Sequence, residues 1–457
     1  MNLLQTFISI IQLWRPAFCK QEAFMRAREH SIAALCTLGR HTITSMAIFL
    51  GRGIKKPSAD YKLYSWCKWQ VEKIFDPLLG KCLPLFDNQY VVIGADDTKF
   101  KKSGKKIPFT SWQRDPMSPP FHVNFLWALR FLQFSALIPL YRHSGAPCRA
   151  VPVRFIESHA LKRPGKRASE EEKKAYEEQQ KKYNLSSIFV REVQNLREAI
   201  DNQGGSGKKL LMVGDGSFCN RICMGMNIDR VHFIARCRKD AKLCHPYQGT
   251  YRKVYDDKKF TPEEVRQDET IEWRCDSFFY GGEWREIRYK EVRGVLWASG
   301  TKRKPLKLIV IAPLPYVRGG RRNYRQPAYL LTTDVDGPIN LLIQSYFDRL
   351  QIEYNFKDEK SLLGVGEAQI RNEQSVCRQP ALCVAAYSAL LLASILCYGD
   401  LPHSDLGAEP EWRPKPKRNS CRALVGQLRL EILKNPFVIG ELELTPSIIM
   451  AILSKAA

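Results

Sequence analysis

The fold class is indicated by residues 90–98, YVVIGADDT, where a short apolar run rich in β-branched residues ends in two acids. A second run, LLMVGDG at 210–216, ends in Asp215. Such runs predict buried strands, and open α/β sheets gather their functional groups at the carboxyl ends of the strands. If the two strands are parallel neighbours, Asp97 and Asp215 meet at one edge. Strand-end aspartates also cap turns, so the pair alone leaves both interpretations open.

A helix is predicted over residues 337–361, and it contains YFDRLQIEYNFKDEK at 346–360. At about 100° per residue, Tyr346, Arg349, Glu353 and Lys360 fall on one face, which presents one acid between two cations and a phenol. A solvated surface helix with an i, i+4 ion pair would also need Arg349 and Glu353. The apolar residues between them favour a polar stripe that faces a cleft.

The net charge of +24, from 71 basic and 47 acidic residues, indicates a polyanionic partner. Nucleic acid is the commonest such partner, and a basic ribosomal or membrane-surface protein is the alternative.

Basic side chains crowd two predicted loops. Lys101, Lys102 and Lys105 follow the first acid, and Arg321 and Arg322 occupy the end of a predicted β-hairpin. Charges at such ends often only solubilise a protein, but their concentration near the predicted acids favours contact with phosphates. The phosphate-binding motif G-x-x-x-x-G-K-[ST] is absent from the sequence, so no ATP dependence is expected.

The chain divides into five predicted segments. Residues 1–88 form a helical domain with a helix-turn-helix outline around Gly39, in which Arg52, Lys55 and Lys56 favour DNA contact. Residues 89–240 form the first part of an α/β catalytic core, 241–335 a β-rich insertion, 336–400 the second part of the core, and 401–457 a helix-strand tail.

The cysteines and the apolar segments predict a cytoplasmic protein. The 14 cysteines are scattered, which is typical of reduced thiols. A zinc site at Cys219, Cys223, Cys237 and Cys244 is the lesser alternative, because paired C-x-x-C motifs are missing there. The run at 381–398 is long enough to cross a membrane, but its small and hydroxyl residues favour a buried core helix.

One family combines these patterns. Tyr-x2-Arg-x3-Glu-x6-Lys at 346–360 resembles the Y-R-E-K signature of the bacterial DDE transposases of insertion-sequence family four and its close relatives. The block Asp96-Asp97-Thr98 with the lysines after it, followed by Asp115-Pro116-Met117-Ser118-Pro119, resembles the same group. So does GDGSF around Asp215, followed by a strand that bears Arg236 and Arg238. The resemblance covers residues 90–400.

The resemblance implies an RNase H-like core with a β-rich insertion before the glutamate helix, and cut-and-paste transposition of the element that encodes the protein. It implies that Asp97, Asp215 and Glu353 are catalytic and hold two Mg²⁺ ions, with Mn²⁺ as a substitute. Asp96 competes with Asp97 as the first acid.

The resemblance also implies the partners. Tyr346, Arg349 and Lys360 would grip phosphates near a transposon end, where a flipped base is characteristic of the family. The partners would be double-stranded DNA, as ends and target, and a second copy of the chain. Alternatives are a nuclease that does not join strands, an inactive or domesticated DNA-binding regulator, and a basic structural protein.

Overall fold

The structure, a computed structural model, describes residues 2–52, 57–86, 89–119, 121–249, 252–402 and 416–434. Its α-helices are α1 (Leu3–Gln12), α2 (Gln21–Cys36), α3 (Ile43–Phe49), α4 (Ser58–Ser65), α5 (Val71–Cys82), α6 (Tyr141–Ser144), α7 (Glu170–Tyr183), α8 (Leu185–Ile200), α9 (Arg221–Met224), α10 (Pro262–Gln267), α11 (Ile339–Asp348), α12 (Gln351–Ser361), α13 (Glu373–Tyr398) and α14 (Cys421–Lys434). Its strands are β1 (Tyr90–Lys101), β2 (Ser111–Arg114), β3 (Phe125–Ile138), β4 (Arg149–Glu157), β5 (Lys209–Gly214), β6 (Val231–Arg236), β7 (Leu243–Pro246), β8 (Tyr255–Phe260), β9 (Arg274–Tyr280), β10 (Glu283–Val295), β11 (Leu306–Ile311), β12 (Pro315–Arg318), β13 (Arg321–Tyr324) and β14 (Ala328–Thr332).

The N-terminal region is helical, as predicted. Gly39 adopts a left-handed conformation (φ 78°) between α2 and α3, which suits a residue without a Cβ. Thr42 is the N-cap of α3, since its Oγ1 accepts a hydrogen bond of 3.1 Å from the backbone N–H of Ser45. Arg52 is ion-paired with Asp60 at 2.8 Å and also with Glu29. Lys55, Lys56 and the predicted strand of the tail lie outside the described residues.

Several predicted boundaries are wrong. The strand predicted to end near Ala95 continues to Lys101, so Asp96 and Asp97 lie within β1 rather than at its end. The apolar runs 125–134 and 135–141, each of which alone predicts a strand, belong to the single strand β3 up to Ile138. The helix predicted over 337–361 is interrupted between α11 and α12, where Leu350 bonds back to the carbonyl of Phe347 in a tighter turn.

The chain forms two compact units, both with mixed α/β structure. Unit 2 comprises residues 86–96 and 184–351. Its sheet has the order β1-β5-β6-β14-β11-β10-β9. β1, β5 and β6 run parallel, with Ile93 opposite Met212 and Met212 opposite Phe233. The remaining pairs are antiparallel. The two strands whose parallel pairing the sequence left as a condition are thus parallel neighbours over Tyr90–Gly94 of β1.

Unit 1 comprises residues 1–85, 97–183 and 352–457. In it β3 lies between β2 and the second part of β1, and β4 also pairs with β3. α13 packs against α1, α2, α4, α5, α14 and β4. This helix is long and apolar enough to cross a membrane, but 83% of its most apolar stretch is buried inside the protein. It is therefore a core helix, as predicted from its composition.

Candidate functional site

Unit 2 contains a cleft of about 900 Å³ that is built from several elements far apart in sequence. Asp215 follows β5, Arg236 ends β6, Tyr329 lies on β14, and Tyr346 lies on α11. Five cations and two acids line the cleft: Arg236, Arg238, Lys239, Arg266, Arg349, Asp215 and Glu263. The cleft is therefore electropositive and suited to an anionic ligand.

Asp215 is positioned by a tight turn after β5. Its Oδ1 accepts hydrogen bonds from the backbone N–H of Ser217 at 2.9 Å and from the Ser217 hydroxyl at 2.6 Å. Gly214 lets this turn pass the core, because a Cβ there would lie 2.9 Å from the Phe233 ring. The turn-cap interpretation thus accounts for one carboxylate oxygen of Asp215, and the same side chain also lines the cleft.

Arg349 sits directly after α11, with its guanidinium next to β1. Its Nη1 donates a 2.8 Å hydrogen bond to Oδ2 of Asp96, and the side chains are 10% and 17% exposed. Such a charge-assisted contact, largely shielded from water, fixes the orientation of both groups. Sequence reasoning missed this pair, because nothing in the sequence indicates which acid lies opposite Arg349.

Tyr346 lines the same cleft as Arg349 and Asp215. Burial raises the pKa of its phenol, although the nearby charges of Arg236 and Arg349 act in the opposite direction. The hydroxyl therefore stays protonated at neutral pH and can donate a hydrogen bond to an anion.

A network on one wall of the cleft neutralises its second acid. The guanidinium of Arg266 donates to both oxygens of Glu263, at 3.1 Å and 2.6 Å, and the Tyr329 hydroxyl also donates to Glu263. The hydrogen bonds from Arg266, followed by that from Tyr329, lower the pKa of Glu263 to about 2 in spite of some burial. Sequence reasoning missed this network, although the i, i+3 spacing of Glu263 and Arg266 on α10 was a usable signal.

The cations of the cleft differ in how they are paired. Arg238 donates to Asp240 through Nε at 2.9 Å and Nη2 at 2.6 Å. Arg236 is exposed, and its guanidinium makes no hydrogen bond or ion pair with any residue that the structure describes. Among the arginines of the cleft, Arg236 thus differs from Arg238, Arg266 and Arg349, each of which is paired with an acid.

The other predicted catalytic residues belong to unit 1. Asp97 is the largest favourable charge acting on Arg130, whose pKa is nevertheless lowered because it is buried. Arg130 also donates from Nε to the carbonyl of Ser158 at 2.8 Å. Glu353 is exposed in the first turn of α12. The Lys360 ammonium lies 5.5 Å from the centre of the Phe100 ring.

The predicted basic loops contain two kinds of residue. Lys101 and Lys105 are exposed, and so are Arg321 and Arg322, which belong to the antiparallel hairpin β12–β13. Lys102 is only 4% exposed, and its ammonium donates to the carbonyls of Gly366 and, at 2.8 Å, Ala368. Burial lowers its pKa to about 8. Lys102 therefore links the end of β1 to residues 366–368 in the interior of unit 1.

The donor chemistry of the predicted metal ligands fits Mg²⁺, since Asp97, Asp215 and Glu353 all supply carboxylate oxygens. In the described part of the chain, no group of three or more His, Cys, Asp or Glu side chains is arranged to hold a metal ion. The thiols at the possible zinc cluster are buried, which raises the pKa of Cys219 to about 12 and that of Cys223 to about 11.

Comparison with known proteins yields no match, since neither a family model nor a curated protein is similar to this chain.

Proposed function

We propose that this chain is a cut-and-paste DNA transposase with an RNase H-like core that cleaves the inverted-repeat ends of its element and joins them to target DNA. The observation that carries the proposal is the cleft of unit 2. It gathers Asp215, Tyr346 and Arg349, which come from two separate sequence motifs, in a cation-rich lining.

The charges of the cleft suit a phosphate backbone. An arginine has five N–H donors in a planar fork that suits phosphate oxygens, and Arg349 lines the cleft while its Nη1 donates to Asp96. Tyr346 adds a neutral hydroxyl donor, and Arg236 adds an exposed cation that makes no ion pair with any acid in the described ranges of the chain. Such contacts position DNA and make its binding depend on salt, without reading sequence.

Asp97, Asp215 and Glu353 would hold Mg²⁺ or Mn²⁺, which supplies Lewis-acid stabilisation of charge on phosphate oxygens. The protein's own part is to orient these carboxylates. For Asp215 the two hydrogen bonds from Ser217 fix one oxygen. For Asp97 the half-buried guanidinium of Arg130 supplies a favourable opposite charge.

Double-stranded DNA and a second copy of the chain are the proposed partners, and the bacterial cytoplasm is the proposed location. A second candidate function, a DNA-binding regulator without catalysis, is favoured by the same cationic cleft.

The test uses the full chain and a plasmid carrying the DNA that flanks its coding region. We expect cleavage at short inverted repeats and joining to a target plasmid in Mg²⁺. We expect Asp97→Asn, Asp215→Asn and Glu353→Gln each to abolish both steps while duplex binding is retained. Asp229→Asn is the matched control, because Asp229 is an acid of unit 2 whose side chain is 83% exposed.

The other outcomes would either support one of the alternative functions or overturn the proposal. Binding without cleavage by the unmodified chain would support the regulator. Cleavage without joining would support a nuclease, and no DNA binding would overturn both candidate functions.

A further inference from the structure

The loop between β2 and β3 carries the two most exposed large apolar side chains among the described residues. Phe121 is 91% exposed and Met117 is 87% exposed, and Val123 nearby is 44% exposed. We call these three residues the hairpin tip. Soluble proteins rarely present large apolar side chains together in this way unless a partner covers them.

Hydrogen bonds within the loop between β2 and β3 order the residues next to the hairpin tip. The backbone N–H of Met117 donates to Oδ1 of Asp115 at 2.9 Å, and the Ser118 hydroxyl donates to the carbonyl of Asp115 at 2.8 Å. The backbone N–H of Asn124 donates to the Ser118 hydroxyl at 2.9 Å, and that of Asp115 donates to the Asn124 carbonyl at 2.8 Å. These bonds fix residues 115–118 and Asn124 on either side of Phe121, so presenting Met117 costs little further ordering on binding.

The base of the same hairpin is aromatic and basic. Trp112 lies opposite Trp127 in the strand pair, with ring centres 5.6 Å apart. The Lys99 ammonium donates to the carbonyl of Arg114 at 2.8 Å, and the Arg114 side chain is exposed. Residues 99–125 contain six lysines and arginines, of which Lys102 is buried, and a single acid, Asp115, so the exposed surface of this segment attracts an anionic partner.

We propose that Met117 and Phe121 insert between neighbouring base pairs of duplex DNA, while Arg114 and Lys99 contact the flanking phosphates. Apolar side chains that enter a base step in this way unstack it and kink the duplex. The inference rests on the proposed function, because it requires that the protein bind DNA.

The charge decides between DNA and the other candidate occupant, a second copy of the chain. A second copy that docked by the same loop would bring its basic surroundings against those of the first, and the like charges would repel at short range. A duplex supplies both the negative charge and an apolar base stack into which the side chains can be inserted.

The test compares the unmodified chain with the double variant Met117→Ala/Phe121→Ala and with Leu13→Ala, a control at a side chain that is 40% exposed elsewhere. The probe is a 30-base-pair duplex with 2-aminopurine in place of several adenines, whose fluorescence rises when a base is unstacked. Binding is measured separately by fluorescence anisotropy, and oligomeric state by sedimentation.

We expect the unmodified chain and Leu13→Ala to raise the 2-aminopurine fluorescence several-fold at saturation. The double variant should lose this rise while its dissociation constant increases by less than about tenfold, because the phosphate contacts remain. Retained fluorescence in the double variant, or no rise with the bound unmodified chain, would overturn the inference but not the proposed function. Loss of self-association with unchanged fluorescence would identify a protein–protein surface instead. Absence of any binding would overturn the proposed function itself.

Discussion

Arg349 donates a 2.8 Å hydrogen bond to Asp96 across 253 residues of sequence, whereas the adjacent Asp97 acts on a different cation, Arg130. Successive side chains of a strand point to opposite faces, so these neighbouring acids occupy different environments. Asp96 therefore serves the ion pair with Arg349, and Asp97 stays the proposed first catalytic acid.

The two acids can be separated by identical substitutions. We expect Asp96→Asn to lower the free energy of unfolding by about 1–3 kcal/mol, because Arg349 loses its charged partner in a largely buried setting. We expect Asp97→Asn to abolish DNA cleavage. Urea denaturation and plasmid cleavage measure the two effects. Loss of cleavage in Asp96→Asn, with cleavage retained in Asp97→Asn, would assign the catalytic role to Asp96.

Arg236 and Arg238 line the same cleft but differ in their ion pairing, so substituting each in turn tests how the charge of the cleft contributes to DNA binding. Because Arg238 is already paired with Asp240, Arg236→Gln should weaken duplex binding more than Arg238→Gln does. If Arg236 contacts one phosphate, its removal lowers the slope of log K against log salt concentration by about 0.9. Anisotropy titrations at several salt concentrations measure this slope. Equal slopes in both variants would place DNA away from Arg236.

Lys102 and Lys105 belong to one basic loop but should respond differently to removal of their charge. Lys102→Met leaves the carbonyls of Gly366 and Ala368 without their donor, so we expect a loss of about 1–3 kcal/mol in unfolding free energy. Lys105→Met should change stability by less than about 0.5 kcal/mol and weaken duplex binding. Thermal or urea denaturation together with anisotropy distinguishes the two. A stable Lys102→Met variant that binds DNA poorly would contradict the internal role of Lys102.

The buried carboxyl group of Glu359 should make the free energy of unfolding depend on pH. It is fully buried on α12, and burial raises its pKa from 4.5 to about 8. The folded state therefore keeps a proton that the unfolded state releases, and this group's contribution to stability falls by about 1.4 kcal/mol per pH unit between these two values.

Glu359→Gln should remove this contribution, so that the variant becomes more stable than the unmodified chain as the pH rises towards 8. Urea denaturation between pH 5 and pH 9 measures the effect, and Glu177→Gln on the exposed face of α7 is the control. An identical pH dependence in the Glu359→Gln variant and the unmodified chain would show that Glu359 is not buried.

The local patterns of the sequence predicted the buried strands that lead to Asp96 and Asp215 and the apolar core helix α13, because apolar runs depend on neighbours in the chain. These local patterns failed where pairing with a strand or residue distant in the sequence determines the structure. Asp96, Asp97 and Thr98 are typical of a turn, yet β1 continues through them because β3 pairs with its second part. In the same way, the break after Arg349 leaves no local signal in a sequence without glycine or proline there.

The candidate site was predicted in part. The motifs identified Asp215, Tyr346 and Arg349, and the structure brings these three to one cleft. The partners Asp96 and Glu263 were not predicted, since a charged side chain does not indicate which opposite charge it will meet. Lys102 was predicted to contact DNA but is buried, because composition alone does not distinguish a buried lysine from the exposed lysines near it in the sequence.

The strand β1 has a consequence for how this protein tolerates insertions and deletions. Because its side chains alternate in direction, removing a single residue before Asp96 would move Asp96 and Asp97 each to the face now held by the other. The length of this strand is therefore under stronger constraint than the identity of its apolar residues. Natural variation in its length should be rarer than in the surface hairpin β12–β13, whose strands are exposed to solvent.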